Sequence, residues 1–430
     1  MKYEIEVISP VHIGSGGTIS PIEYVVEDNF YRVDMDKIFG DEQFETYRFI
    51  EDAKKGTFYL GKFAPELAKE HVRYTLDISH PTRTNLQGLI GSKSSEVREF
   101  IKTKDDAYIP GTSIKGAIRT AILWWVLKND RMLFEKVKRY LEILLNARNL
   151  SDQIENARNI EDIKREIERN YNLKQNSDAY MDLLVMIAGG EVRKIKKKVR
   201  DLRKIGREHV DDEIEEIVFG QDPTKDLLKA LQVSDASTVD VGRLRIEEVR
   251  TLTTTPKGHK WKGFNTYVEA LKPETKLDLE MKIDDFLLIG DAARELHFGS
   301  KKSLLREIPK ICNEFADDLI EKELIFFEHY NTPRELDKVL EFYERERQRR
   351  KEDSFLLHLA WGSGWHGMTV GRLLQEKTDF DFFGLRRKFN LGKRRNQPFF
   401  VGEFPKTRRL VFEEGKSKYQ LGWVKLKEGD

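Results

Sequence analysis

Cysteine is nearly missing from this chain. Cys312 is the one cysteine in 430 residues, which excludes an intrachain disulfide and a cysteine-ligated zinc site. Its neighbours Ile311 and Phe315 place it on a packed helix face. Long apolar runs are missing too. None reaches the roughly 20 residues of a membrane span, and the N-terminus opens on a strand pattern rather than a signal peptide. A soluble, cytoplasmic protein without membrane partners is the expectation. An excess of one charge is also lacking. Lys and Arg number 75 against 74 Asp and Glu, a formal net charge of +1, so any affinity for nucleic acid must come from local patches. Proline is absent from residues 131–218, leaving nothing there to break a helix. HExxH, DxDxDG, GxSxG and a Walker loop are all absent. No metal and no cofactor is expected.

Charge itself is abundant. Charged residues make up 35% of the chain, against roughly 25% in an average globular domain. Balanced charge at this density suits surface ion-pair networks. Hydrophobic content of 39% is enough for a buried core.

Glycine is concentrated in Trp361-Gly362-Ser363-Gly364-Trp365-His366-Gly367-Met368-Thr369-Val370-Gly371, which spells GxGxxG. A dinucleotide fingerprint also needs an acidic residue about 20 positions on, at the end of a second strand. Asp379 and Asp381 lie too close, and only 63 residues follow Gly367. The run therefore serves close backbone approach or turning. Whether it approaches RNA or the rest of the protein is not fixed by its spelling.

Tyr3-Glu4-Ile5-Glu6-Val7-Ile8 alternates with the period of a half-buried strand and exits through Ser9-Pro10-Val11-His12-Ile13-Gly14-Ser15-Gly16-Gly17. Tyr108-Ile109-Pro110-Gly111 precedes a helix, with Thr112 or Ser113 expected to cap it and Ile114, Ala117, Ile118, Ala121, Ile122 and Trp125 at helical spacing. Residues 131–218 read as charged helices. Within them, positions 193–207 hold nine Lys/Arg against one acid, and 211–216 hold five acids; this basic run is read first as a solvated helix face. Strands return at Leu231–Asp235, Leu244–Glu247 and Leu277–Asp284, helix at 301–352, and a last strand near Leu421–Val424. Strands at both ends with helices between them predict an α+β fold with a largely antiparallel sheet.

Three features carry chemistry. At Pro110–Arg119, Ser113 lies at a helix start and Lys115 and Arg119 are four apart on one face, a ready anion site beside the positive end of the helix dipole. The same residues equally describe a capped helix with two solvated cations. His12, at the end of the first strand, is a general base, a stacking ring, an RNA hydrogen-bonder or simply a satisfied strand-end histidine. The stretch Arg386–Arg409 holds nine Lys/Arg and one acid, with Phe389, Phe399, Phe400 and Phe404 interleaved. That is the composition of a single-strand binding surface, or of rings facing a core and cations facing water.

The His12 strand, the segment Tyr108–Arg119 and the late glycine loop together resemble the RAMP superfamily of CRISPR–Cas systems. The resemblance is nearest to the fifth Csm subunit of type III-A effector complexes, supported by Leu231–Asp235, Glu269–Thr275, Leu359–Gly371, Pro405–Arg408 and Leu421–Val424. It implies an RRM-like (ferredoxin-like) antiparallel core with large helical insertions and no catalytic residue. It further implies that the chain binds crRNA at its 3′ region, caps the backbone filament of other Csm subunits beside the repeated backbone subunit, and assists 3′ maturation with cellular nucleases. RNA would be held by His12, Ser113, Lys115, Arg119, Gly362, Gly364, Trp365, His366, Gly367 and Arg408. The aspartate with which the repeated subunit cuts target RNA has no counterpart in Thr18–Tyr24, and Asp34 and Asp36 fall in a later strand-like segment. A metal-independent RAMP endoribonuclease acting on repeat RNA through His12 is the alternative. The expected segments are 1–40 (first core strands), 41–105 (helical insertion), 106–130 (core helix), 131–218 (charged helical insertion), 219–300 (core strands), 301–352 (helical) and 353–430 (glycine-rich loop, basic stretch and last core strand), with one elaborated core favoured over two.

Overall fold

The computed structural model describes residues 1–56, 58–170, 172–206, 209–220, 224–255, 258–296, 298–328, 336–348, 354–392, 403–413 and 416–429. Its strands, in chain order, are β1 (Lys2–Val7), β2 (Gly14–Ile19), β3 (Tyr24–Val26), β4 (Phe30–Val33), β5 (Val72–Ile78), β6 (Val97–Phe100), β7 (Lys102–Thr103), β8 (Asp106–Ala107), β9 (Leu231–Val233), β10 (Leu244–Thr255), β11 (Gly258–Leu271), β12 (Lys276–Ile283), β13 (Ser354–His358), β14 (Thr407–Glu413), β15 (Lys416–Gln420) and β16 (Trp423–Glu428).

The alternation read in the first strand decides its environment. Tyr3, Ile5 and Val7 are buried, and Ile5 lies opposite Leu277 of β12 and Leu426 of β16. Glu4 and Glu6 face outward, where they pair with Lys276 (3.0 Å) and Lys425. β1 is the middle strand of a five-stranded sheet, order β13-β16-β1-β12-β9, antiparallel throughout. Helices Gly111–Asn129 and Ile308–Glu328 pack on each other and against this sheet. Cys312 is buried on the second of them beside Ile311 and Phe315, and burial raises its thiol pKa, so it packs as an apolar group.

A second sheet is built on the long hairpin β10/β11. Its order is β2-β6-β11-β10-β5-β4-β3, with β14 sharing the β10 edge beyond β5 and β15 pairing with β14. The β10–β5 and β11–β6 pairings are parallel. The strands thus divide between these two sheets and a separate two-stranded pair, β7 with β8, and the pairing is largely antiparallel as expected. Residues 41–105 likewise supply β5 and β6 alongside short helices. Tyr74 and Leu76 are the buried positions of β5, an alternation too short to stand out among helix-type neighbours. One large apolar cluster runs from Tyr3 to Leu426 and takes in both sheets.

Residues 131–218 fold as expected, into helices Arg131–Gln153, Ile160–Arg169, Ser177–Ala188, Val192–Lys204 and Val210–Phe219. On the basic helix, Ile195, Val199 and Leu202 face inward. Its cations meet acids on neighbouring helices: Lys198 pairs with Glu213 and Arg203 with Asp152.

The segment Ser9–His12 ties the two sheets together. Ser9 Oγ accepts the Trp423 N–H at 3.0 Å, and Val11 and Leu271 exchange backbone hydrogen bonds. Beside this crossing sits Glu269 of β11, fully buried. Its carboxylate accepts from Tyr74 Oη at 2.7 Å and from the Phe100 N–H at 2.8 Å, and it pairs with Lys102. Removing one partner of a buried pair leaves the other charge stranded, at a cost of about 3–5 kcal/mol. Glu269→Ala is expected to destabilise the fold by that amount in urea titrations, and Glu269→Gln by clearly less, because the amide oxygen still accepts from the Phe100 N–H while its NH2 can donate to the Tyr74 hydroxyl oxygen.

Candidate nucleic-acid interface

The helix that begins at Gly111 takes no cap from its own N-terminal residues. Pro110 occupies the N-cap position, and Ser113 is the third helical residue, half-buried and not capping. The cap comes from a distant loop, where Asp235 Oδ1 accepts the Gly111 N–H at 2.8 Å. A Cβ at Gly111 would lie 2.3 Å from Ser234 O, so only glycine allows that loop so close. A protein carboxylate already occupies the positive end of this helix. The cations are engaged as well. Lys115 Nζ donates to Leu231 O at 2.7 Å, and burial lowers its pKa. Arg119 pairs with Asp226 and with Glu215 (3.2 Å), its guanidinium 4.6 Å from the Phe219 ring centre. Of the expected apolar face, Ile114, Ile118, Ala121 and Ile122 are buried and Ala117 is half-buried; Trp124 is buried as well, while Trp125 is half-buried and donates to Glu314 at 3.0 Å.

Arg408 is an internal cation too. It is 5% exposed, and its Nε donates to Glu323 at 2.5 Å and its Nη1 to Pro405 O at 3.0 Å. Phe389 and Phe404 are buried, the second beneath Arg386 at 4.5 Å. For these rings of the basic stretch the core reading holds. Lys393–Gly402, with Phe399 and Phe400, lie outside the described residues. Asp34, expected in a strand, caps the helix Met35–Gly40 through the Lys37 N–H.

The glycine run folds as a short turn, Ala360–Gly362, followed by helices Gly364–Met368 and Gly371–Gln375. What approaches Gly362 is the protein itself: a Cβ there would lie 2.3 Å from Leu421 O. Gly364 differs, with φ +64 and open space where a side chain would project. Gly367 packs on Ser363, and the Trp365 ring covers Gly371 and meets Phe404 at 4.8 Å. His366 Nδ1 is buried with no hydrogen-bond partner among the described residues. Burial, then the charges of Arg408 and Lys322, pull its pKa down to about 3. Gly362, Gly364, His366, Arg408, Arg409 and Gln420 line a cavity of about 290 Å³.

His12 opens onto a second cavity, about 510 Å³, lined also by Gly14, Thr18, Arg98, Phe264 and Asn265. The ring is 3% exposed, and its Nδ1 lies 2.7 Å from Glu269 O. A carbonyl only accepts, so Nδ1 carries the proton and Nε2, facing Gly14, is left as an acceptor. Burial, reinforced by the charges of Arg98 and Lys102, lowers the pKa to about 4. A neutral ring so far from neutrality is a weak general base, and this weighs against cleavage through His12.

Trp361 contacts residues that line both cavities. Its ring meets His12 edge-on at 5.8 Å, and the guanidinium carbons of Arg98 and Arg409 lie 4.7 and 4.4 Å from its centre. Arg409 also donates to Trp361 O at 3.1 Å. The fold thus brings His12, the Gly362–Gly367 loop and the Arg408 segment to one region. Ser113, Lys115 and Arg119 belong elsewhere, against Leu231–Asp235, Asp226 and Glu215. Arg98 and Phe264 were missed from sequence, and Arg409 entered only as the last cation of the basic stretch Arg386–Arg409. Arg98 is a lone cation in a segment read as helix, and Phe264, 51% exposed, lies on β11, outside the strands read at Leu244–Glu247 and Leu277–Asp284.

Two consequences can be measured. Lys115→Ala with Arg119→Ala is expected to lower the melting temperature, because Leu231 O, Asp226 and Glu215 lose their donors, while leaving the salt dependence of RNA binding unchanged. His358 gives a pH signature. Its Nε2 donates to Leu421 O at 2.7 Å, its ring stacks on Trp423 at 4.4 Å, and burial lowers its pKa from 6.5 to about 4. A folded value below the unfolded one means stability is complete above pH 6.5 and declines toward pH 4 as the unfolded chain takes up the proton. Each unit is worth about 1.4 kcal/mol. Between pH 7 and 5, urea titrations of His358→Asn should show a shallower decline than those of the native chain.

Comparison with known proteins bears on this geometry. A family model described as the RAMP superfamily matches residues 4–366. The chain is 22% identical over 454 residues to the "CRISPR system Cms protein Csm5" of Methanocaldococcus jannaschii, covering 99% of this chain and 88% of that protein. A chain in the cryo-EM structure of a Csm–crRNA–target RNA ternary complex of a type III-A CRISPR–Cas system superposes with TM-score 0.68 at 26% identity, over 99% of this chain and 100% of that one. The crystal structure of T. onnurineus Csm5 shares the fold, with TM-score 0.60 at 24% identity over 98% and 99% of the two chains. The resemblance carried by the His12 strand, the Pro110–Arg119 segment and the glycine loop is thereby met along nearly the whole chain, which belongs to the RAMP superfamily.

Proposed function

We propose that this chain is a crRNA-binding, non-catalytic subunit of a type III-A Csm effector complex. In this reading it sits at the 3′ end of the guide, ends the filament formed by the repeated backbone subunit, and assists 3′ maturation by recruiting cellular nucleases in the cytoplasm. The observation that carries the reading is the end-to-end similarity to a chain of a Csm–crRNA–target RNA complex. The five-stranded sheet with helices Gly111–Asn129 and Ile308–Glu328 is proposed as the RRM-like core. Its strands β1, β9, β12 and β16 in the order β16-β1-β12-β9 support that assignment. The second sheet and the helices of 131–218 are then elaborations of it, and the expected helical segment 301–352 supplies the second core helix.

RNA would run along the surface that joins the His12 cavity to the glycine loop. Of the residues expected to hold it, His12, Gly364, Trp365 and His366 border cavities there. Gly362 and Gly367 shape the loop. Ser113, Lys115, Arg119 and Arg408 keep their elements in place through protein partners. No helix among the described residues is long and apolar enough to cross a membrane, and no group of ligand-type side chains among them is arranged to hold a metal ion.

The test is reconstitution with the other Csm subunits and a guide carrying a photocrosslinker at either end. Crosslinks to this chain are expected from the 3′ end. Crosslinks from the 5′ end alone, or equally from both, would refute the placement, and cleavage of repeat RNA by the purified chain in chelator would refute the non-catalytic role.

A further inference from the structure

Lysines and arginines near the candidate interface are commonly paired with a carboxylate. Lys102 pairs with Glu269, Arg408 with Glu323, and Arg250 with Glu248 at 2.6 Å. Arg98 and Arg409 are different. Both are exposed, both lie against the indole of Trp361, and neither has a carboxylate partner among the described residues. Glu96 lines the adjoining cavity without reaching either one. Glu99 is engaged by Ser15 Oγ at 3.1 Å.

Like charges held this close repel each other. The charge of Arg98 adds to burial in lowering the Arg409 pKa. An aromatic face offsets part of that repulsion, and an anion placed between the guanidinium groups would offset far more. The platform is firm, because Trp361 packs on the buried cluster Val249, Val268, Ala270, Val411 and Leu421. On one side lies the His12 cavity, within the size range of small-molecule and nucleotide pockets, with Phe264 exposed at its edge. Cations beside open aromatic rings along a groove are the pattern that holds single-stranded nucleic acid, phosphates on the cations and bases on the rings.

We propose that Arg98 and Arg409, carried on Trp361, bind phosphate groups of a single-stranded RNA chain, and that the adjoining cavity between His12 and Phe264 receives a nucleotide of that chain. This rests on the reading of the protein as an RNA-binding subunit, and it names the site. Arg98 and Arg409 meet only in the folded chain, on strands β6 and β14.

The experiment measures binding of a fluorescein-labelled single-stranded oligouridine to the full chain across a salt series. Arg98→Ala with Arg409→Ala is expected to weaken binding by tenfold or so and to reduce the salt slope by about 0.7 for each phosphate contact removed. Arg98→Lys with Arg409→Lys should restore the slope, since counterion release needs only the charge. Arg193→Ala with Lys197→Ala removes two exposed cations from the helix Val192–Lys204 and should leave the slope unchanged. Matching thermal melts verify that each variant is folded. An alanine pair that binds like the native chain would overturn the site but not the RNA-binding reading. So would an equal loss in the Arg193/Lys197 pair, which would make the attraction one of overall charge. A native chain with no affinity for single-stranded RNA would overturn both.

Discussion

The buried carboxylate of Glu269 is the contact on which the rest of the candidate interface depends. A charged group with no access to water must be fully partnered, and here the partners come from three elements distant in sequence: Tyr74 on β5, the Phe100 N–H at the end of β6, and Lys102 on β7. Its carbonyl adds a fourth contact, with His12 at the end of the segment that crosses between the sheets. One residue thereby sets where β5, β6 and the His12 loop stand relative to the β10/β11 hairpin. It also fixes the tautomer of His12, and so which nitrogen faces the cavity. Arg98, two residues before Phe100, is aimed by the same anchoring.

Cations in this protein sort by partner, not by their clustering in sequence. Lys115, Arg119 and Arg408 stood out because of their neighbours: a helix start in one case, a basic stretch in the other. Each carries out a structural task, because Leu231 O, Asp226, Glu215 and Glu323 lie within reach in the folded chain. Arg98 lacked any local signal and Arg409 was only the last cation of the basic stretch, yet both lie exposed on an aromatic platform. With 75 basic and 74 acidic residues, composition does not say which cations are matched, and that becomes visible only after folding.

The glycine run shows the same division. Close backbone approach was the expected role, and at Gly362 the approaching group is the Leu421 carbonyl of the turn before β16. That contact seats the loop on the sheet and turns Trp361 toward His12. Gly364 alone keeps open space at its α-carbon. The loop is held by its own protein on one side and offers a surface on the other.

Local pattern was enough for much of the fold. Alternation in Tyr3–Val7 and Leu277–Ile283 gave strands with the right buried faces, and the proline-free stretch 131–218 gave helices whose apolar positions recur every three or four residues. The three motifs that carried the family resemblance were also readable, because each lies within about a dozen consecutive residues. Sheet membership was not, since pairing β6 with β11 or β14 with β10 joins segments more than a hundred residues apart through backbone hydrogen bonds that carry no side-chain signature. The chemistry of the candidate site belongs to that second class. Composition says that arginines, tryptophans and histidines are present, but the distances from Trp361 to Arg98, Arg409 and His12, and the burial that keeps His12 neutral, exist only once both sheets have closed around Glu269.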